Sequence, residues 1–121
     1  SCGRGCSTCK SSKGELKVAK WLSKKDIPYE QEHSFEDCFN TKTGRKYRFD
    51  FYIPELNTAI EYHGEQHYKP IKHFGGVKKF ISTRHRDAEK TNYCEESNIK
   101  LLVIPYTESV SELLIANINL N

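Results

Sequence analysis

The sequence lacks methionine, lacks any apolar run near the roughly 18 to 20 residues a bilayer span needs, and shows no basic leader before a short apolar stretch. The expectation is a soluble, intracellular chain without an export signal. With no methionine and Ser1 at its head, it is expected to be a piece of a longer polypeptide. Internal repeats and low-complexity segments are also missing. At 121 residues there is room for one domain with a modest core and not for two independent ones.

An even, dense cysteine set is lacking too. Of five cysteines, Cys2, Cys6 and Cys9 crowd the start while Cys38 and Cys94 stand alone, which excludes a secreted disulfide scaffold. GCSTC places Cys6 and Cys9 at the C-x2-C spacing that lets two thiolates hold one Zn²⁺, but a structural site needs four ligands. The reading is a partial zinc site, a remnant over 1–12 of a zinc-ribbon-like segment, with free thiols as the alternative. No charge sign dominates, since 19 Lys and Arg face 16 Asp and Glu for a formal +3. The cations are bunched, as in Lys42, Arg45, Lys46 and Arg48, and such patches suit phosphates or merely a solvated surface.

What is present is a succession of periodic segments over 13–121. SSKGELKVAKWLSKKD has Ser12 and Glu15 in capping-box spacing before a helical pattern of about 13 residues. Ile27 to Phe35 reads as a strand broken at its start by Pro28. Two further strands, Arg48 to Ile53 and Thr58 to His63, flank the tight connection PELN. Their alternation predicts one apolar sheet face and one loaded with Asp50, Glu61 and His63. GEQHYKPIKHFGG has neither period and reads as an ordered loop. Val77 to Asn98 is helical, with Phe80, Arg84, Asp87, Thr91 and Cys94 on one stripe. KLLVIPY is a short buried strand and ESVSELLIANINL a closing amphipathic helix. The order α-β-β-β-α-β-α predicts an α/β (α+β) fold, a mixed sheet flanked by helices.

A carboxylate within one strand and another at the end of its neighbour converge when the strands pair. Two such oxygens suit Mg²⁺, a hard ion that takes one or two protein carboxylates and keeps several waters. It would polarise a phosphoryl group and lower the pKa of an attacking water.

GE at the first helix, then FDFYIP, AIEYHGEQHY, RHRDAEK and IKLLVIPY, resemble the PD-(D/E)xK nuclease superfamily. The likeness is closer to its very-short-patch-repair-like branch and to the EDxHD homing endonucleases of phages, and it covers Gly14 to about Tyr106. It implies a restriction-endonuclease-like core and a metal-dependent DNA endonuclease using Mg²⁺ or Mn²⁺ on double-stranded DNA. It also implies specificity segments elsewhere in a full-length chain, a possible homodimer, and the cytoplasm of a host cell for a phage or mobile element. The four letters fall on Glu15, Asp50, His67 and Asp87. Asp50 would be the principal metal ligand. The variable middle position, a backbone-carbonyl ligand in the mismatch-repair enzymes, falls near Glu61 or Tyr62, and Glu61 would supply a real carboxylate. The superfamily's lysine is His63 here, a departure that leaves the general base between His67 and His63.

Plainer roles exist for each. Glu15 suits a capping box with Ser12. Asp87 suits an ion pair with Arg84. Asp50 and Glu61 suit exposed acids, and His67 a loop histidine with local bonds. Lys69, Lys72, Lys78 and Lys79 suit phosphate contacts or solvent equally. Two function classes follow, a metal-dependent endonuclease and a catalytically inactive nucleic-acid-binding module on the same fold. A zinc hydrolase built on His63 and His67 is weaker, because their H-x3-H spacing contains a glycine and lacks a helical period.

Overall fold

A computed structural model describes residues 13–72 and 75–118; the cysteine cluster and Ser12 lie outside them. Within that span α1 (Lys13–Lys24) is followed by β1 (Glu30–His33), β2 (Phe49–Ile53) and β3 (Thr58–His63). The long helix α2 (Gly76–Glu96), β4 (Lys100–Pro105) and α3 (Val110–Asn117) complete the described part. The four strands form one mixed open sheet in the order β1-β2-β3-β4, antiparallel except for the parallel pairing of β3 with β4. The return from β3 to β4 through α2 is the long crossover that a parallel pair needs.

Helices cover both faces. On one, Val18 and Leu22 of α1 and Val110 and Leu114 of α3 meet Phe51, Ile53, Ile60, Leu102 and Ile104 in the main core. Each such buried side chain contributes roughly 1.5–3 kcal/mol. On the other, Cys94 of α2 packs with Cys38, Tyr47, Phe49 and Ala59. Burial pushes the thiols of Cys38 and Cys94 up to about 11, which makes them packing groups rather than nucleophiles.

Three sequence expectations change. The first strand is four residues, not nine, because Ile27 N–H still bonds back to Leu22 O of α1 and Asp26 adopts a positive φ. The loop after β3 contains a 3₁₀ turn, Glu65–His67. The buried residues of α2 are Thr83, Lys90 and Cys94, while Arg84 and Thr91 of the expected stripe are exposed. The side turned to the sheet sets Thr83 and Lys90 beside Cys94, so hydrophobic periodicity misplaces it.

Between β1 and β2 the chain folds a small hairpin. Phe39 bridges Lys46, Tyr47 N–H donates to Cys38 O, and Gly44 N–H closes the turn on Asn40 O. Gly44 has φ 78, a conformation that side chains with a Cβ seldom adopt. Glu89 of α2 anchors this hairpin by accepting from Tyr47 Oη (2.7 Å) and Thr41 Oγ1 (2.7 Å).

Candidate active site

The site begins where the β2–β3 ladder ends. The strands pair Ile53 with Thr58, Tyr52 with Ala59 and Phe51 with Ile60. One step further along this register Asp50 stands opposite Glu61, and there side chains serve as acceptors. Asp50 N–H donates to Glu61 Oε2 (3.2 Å) and Tyr62 N–H donates to Asp50 Oδ2 (2.8 Å). Each acid is thus fixed by the other strand's backbone. They converge as the sequence pattern anticipates.

Lys90 was not singled out in the sequence, and it lies among these acids. It is 5% exposed, and its Nζ donates to Glu61 Oε2 (2.9 Å) and to the Arg48 carbonyl, 4.9 Å from the centroid of the Phe49 ring. The signal in RHRDAEK is its spacing of three from Asp87, which puts both on one helix face. A buried lysine carries no hydrophobic signature, so periodicity passes over it.

The histidines complete the wall. Gly64 leaves β3 extended, and the 3₁₀ turn brings His67 back onto His63, the rings stacked at 3.9 Å and 10°. His67 Nδ1 is 2.9 Å from Asp87 Oδ2. His63 Nε2 lies 3.4 Å from Glu61 Oε1 and 3.9 Å from Asp87 Oδ1, so His63 spans the two acids. Asp87 therefore pairs with imidazoles, and its expected ion pair with Arg84 gives way to Arg84 stacking on Phe80 (5.7 Å). Glu15 in the first turn of α1 is half-buried, and its charge reaches Asp50. A Cβ on Gly14 would stand 2.2 Å from the Tyr62 ring, so glycine lets α1 approach β3 this closely.

The acids respond differently to this crowding. Burial, then the Glu61 carboxylate, with Glu15 adding, pushes Asp50 up to about 7 against the Tyr62 N–H and Lys90. Burial also pushes Glu61 up, but His63 and Lys90 outweigh it and hold Glu61 below its ordinary range. For Asp87 burial is likewise outweighed, by the His67 hydrogen bond and the nearby His63, His67 and Arg86.

Asp50 and Glu61 around the one buried ammonium of Lys90, with the Glu15 charge reaching Asp50, leave an excess of negative charge, the environment that a hard divalent cation relieves. The donor set fits such an ion, with Asp50 first and Glu61 sharing its oxygens with Lys90. His63, His67 and Asp87 form a second group whose ligand atoms all lie within 4.8 Å of one another. A cleft of about 470 Å³ reaches this group, lined by His63, His67, Tyr68, Arg84, Asp87 and Thr91. Of the lysines expected to meet phosphates, Lys69 is tied to Glu65 at 2.6 Å; Lys72, Lys78 and Lys79 are exposed.

Among the described residues, no helix is long and apolar enough to cross a membrane. No family model matches the chain, and no solved structure does. The chain is similar to viral proteins. It is 41% identical over 70 residues to "Uncharacterized protein 094L" of Frog virus 3, covering 56% of this chain and 45% of that one. It is 42% identical over 59 residues to "Uncharacterized protein 307L" of Invertebrate iridescent virus 6, covering 48% and 30%. With "Uncharacterized protein 033L" of Invertebrate iridescent virus 3 the identity is 31% over 75 residues, covering 61% and 39%. The chain thus spans less than half the length of each of these relatives.

Proposed function

We propose that this chain is the catalytic domain of a Mg²⁺- or Mn²⁺-dependent DNA endonuclease with a restriction-endonuclease-like core, a member of the very-short-patch-repair-like and EDxHD group of PD-(D/E)xK nucleases. The observation that carries the reading is the meeting of Asp50 and Glu61 at the end of the β2–β3 ladder, with the His67–Asp87 pair on the same wall. A bound divalent ion, held by Asp50 with Glu61, would polarise the scissile phosphoryl group and acidify a water.

The chain's own residues divide the remaining work. With Nδ1 donating to Asp87 Oδ2, His67 keeps Nε2 as the acceptor, so it takes the proton of the attacking water. Asp87 fixes that tautomer and steadies the imidazolium that forms. His63 turns its Nε2 to Glu61 and Asp87, which commits it to positioning and leaves His67 as the base. Lys90 keeps Glu61 ionised. Glu15 adds to the negative field at Asp50.

The test is cleavage of supercoiled plasmid at low salt with Mg²⁺ or Mn²⁺, beside Asp50→Ala and a chelator control. Nicked or linear product from the parent alone supports the reading. Intact plasmid shifted equally by parent and variant would favour the inactive binding module, the second reading, which Lys90's occupation of Glu61 Oε2 lends some support. Equal cleavage by both would sink the site.

A further inference from the structure

Beside the imidazole cleft, on the adjoining stripe of α2, lies a larger one of about 790 Å³, lined by Ser34, Arg45, Lys46, Tyr47, Arg48 and Arg86, with Lys90 closing it. Five of these residues are cations and none is an acid. Helical spacing separates the two clefts, since Arg86 and Lys90 are four apart on one stripe while Arg84, Asp87 and Thr91 share another. The cleft is also built rather than incidental. Glu89 holds Tyr47 and Thr41, Tyr93 Oη donates to Asp37 Oδ1 (2.7 Å), and Lys90 holds the Arg48 carbonyl. These bonds fix the backbone that presents Arg45, Lys46 and Arg48 before any ligand arrives.

We propose that this cleft binds the phosphodiester backbone of duplex DNA, as a seat beside the carboxylate site; the choice of DNA rests on the nuclease reading above. Arg86 Nε is buried without a hydrogen-bond acceptor, with Asp87 Oδ1 at 3.9 Å, too far to bond it, and a phosphate oxygen would satisfy that donor. Lys46 and Arg48 lean on Glu36 (3.0 Å) and Glu32 (3.3 Å) at the surface, pairs weak enough to exchange for phosphate. Guanidinium forks match phosphate oxygens two at a time. The single aromatic in the cleft, Tyr47, is buried with its hydroxyl on Glu89, so no ring is offered for stacking an unpaired base. The ligand is therefore a duplex gripped by its backbone, without regard to sequence. Lys90 closes the cleft and bonds Glu61, so a strand seated there runs beside Asp50 and Glu61.

The test is fluorescence anisotropy with a labelled duplex in EDTA, titrated with salt, for the parent chain and for Arg45→Gln/Lys46→Gln/Arg48→Gln. All three side chains are exposed, and thermal unfolding of the variant verifies its fold. With about 0.9 lost per phosphate contact, the slope of log affinity against log salt falls by about 2 to 3 and affinity by at least about tenfold. Lys78→Gln/Lys79→Gln keeps most of the parent slope. An unchanged slope in the triple variant, or an equal loss in the lysine pair, overturns the cleft. A single strand of the same sequence held as tightly as the duplex overturns the duplex assignment. Because binding is read without metal, a chain that binds through this cleft yet never cuts plasmid sinks the nuclease reading alone. A triple variant that cuts and binds like the parent sinks the cleft alone.

Discussion

The two faces of the sheet differ in the charge they hide, although each carries an apolar cluster. Toward α1 and α3 it presents Phe51, Ile53, Ile60 and Ile104, all fully buried and all apolar. Toward α2 it presents Asp50, Glu61 and His63, answered by Asp87 and Lys90 of the helix and by His67. The first face gains from being dry. The second must satisfy every charge it hides, and continuum reasoning says a buried ion pair adds little stability over apolar side chains of equal volume. A domain of this size keeps such a wall at the expense of core, the trade expected if the wall carries the proposed chemistry.

The apolar face is the more sensitive to truncation. Phe51→Ala should cost about 3–5 kcal/mol of unfolding free energy, read by denaturant titration. Next, Lys90→Ala should cost about 3 kcal/mol by leaving Glu61 buried without its cation, whereas Lys90→Met with Glu61→Gln should recover part of that stability and cut no plasmid. If the single and double variants are equally stable, the polar wall is not held by this pair. Asp87→Asn should cost about 1–2 kcal/mol of stability, because the groups that hold Asp87 ionised lose its charge, yet slow cleavage by roughly a hundredfold, since the Asn amide can donate to His67 Nδ1 and reverse its tautomer. Retained cleavage would remove His67 from the reaction.

Acidity separates the faces more gently. Asp50 titrates near 7 in the fold against an ordinary 3.8, so between these values the folded chain holds more protons than the unfolded one. Stability in EDTA should therefore fall as pH rises from about 5 to about 7. Glu61 and Asp87, both held low, act in the opposite sense below their ordinary values of 4.5 and 3.8, outside that window. Denaturation midpoints at pH 5 and 7.5 read the sign. Smallest of all, Ile115→Ala on the exposed side of α3 should change stability by no more than about 0.5 kcal/mol.

Much of the architecture is legible because periodicity reports burial. Thr58 to His63 is assigned to the residue, and α2 nearly so, since apolar and charged residues alternate there at strand and helix spacings. The convergence of Asp50 and Glu61 is also readable, because a tight PELN connection fixes the register of their strands. Lys90 is not readable this way: what buries it is a carboxylate from β3, a partner 29 residues away. The stacking of His63 on His67 is equally hidden, as it depends on a 3₁₀ turn with no sequence period. Nor does a string of cations such as Arg45, Lys46 and Arg48 disclose that Glu89 and Lys90 pin its backbone against a helix.

Lys90 also bears on how the domain comes to exist. Small metal-dependent folds often assemble only when the ion arrives, because their ligands repel one another in its absence. Here an ammonium belonging to the chain already stands among the acids, so the carboxylates can be gathered and the helix docked without any divalent ion. On the nuclease reading proposed above, metal supply would set when the domain acts, not whether it folds, and a chelator should stop plasmid cleavage while leaving the circular dichroism intact.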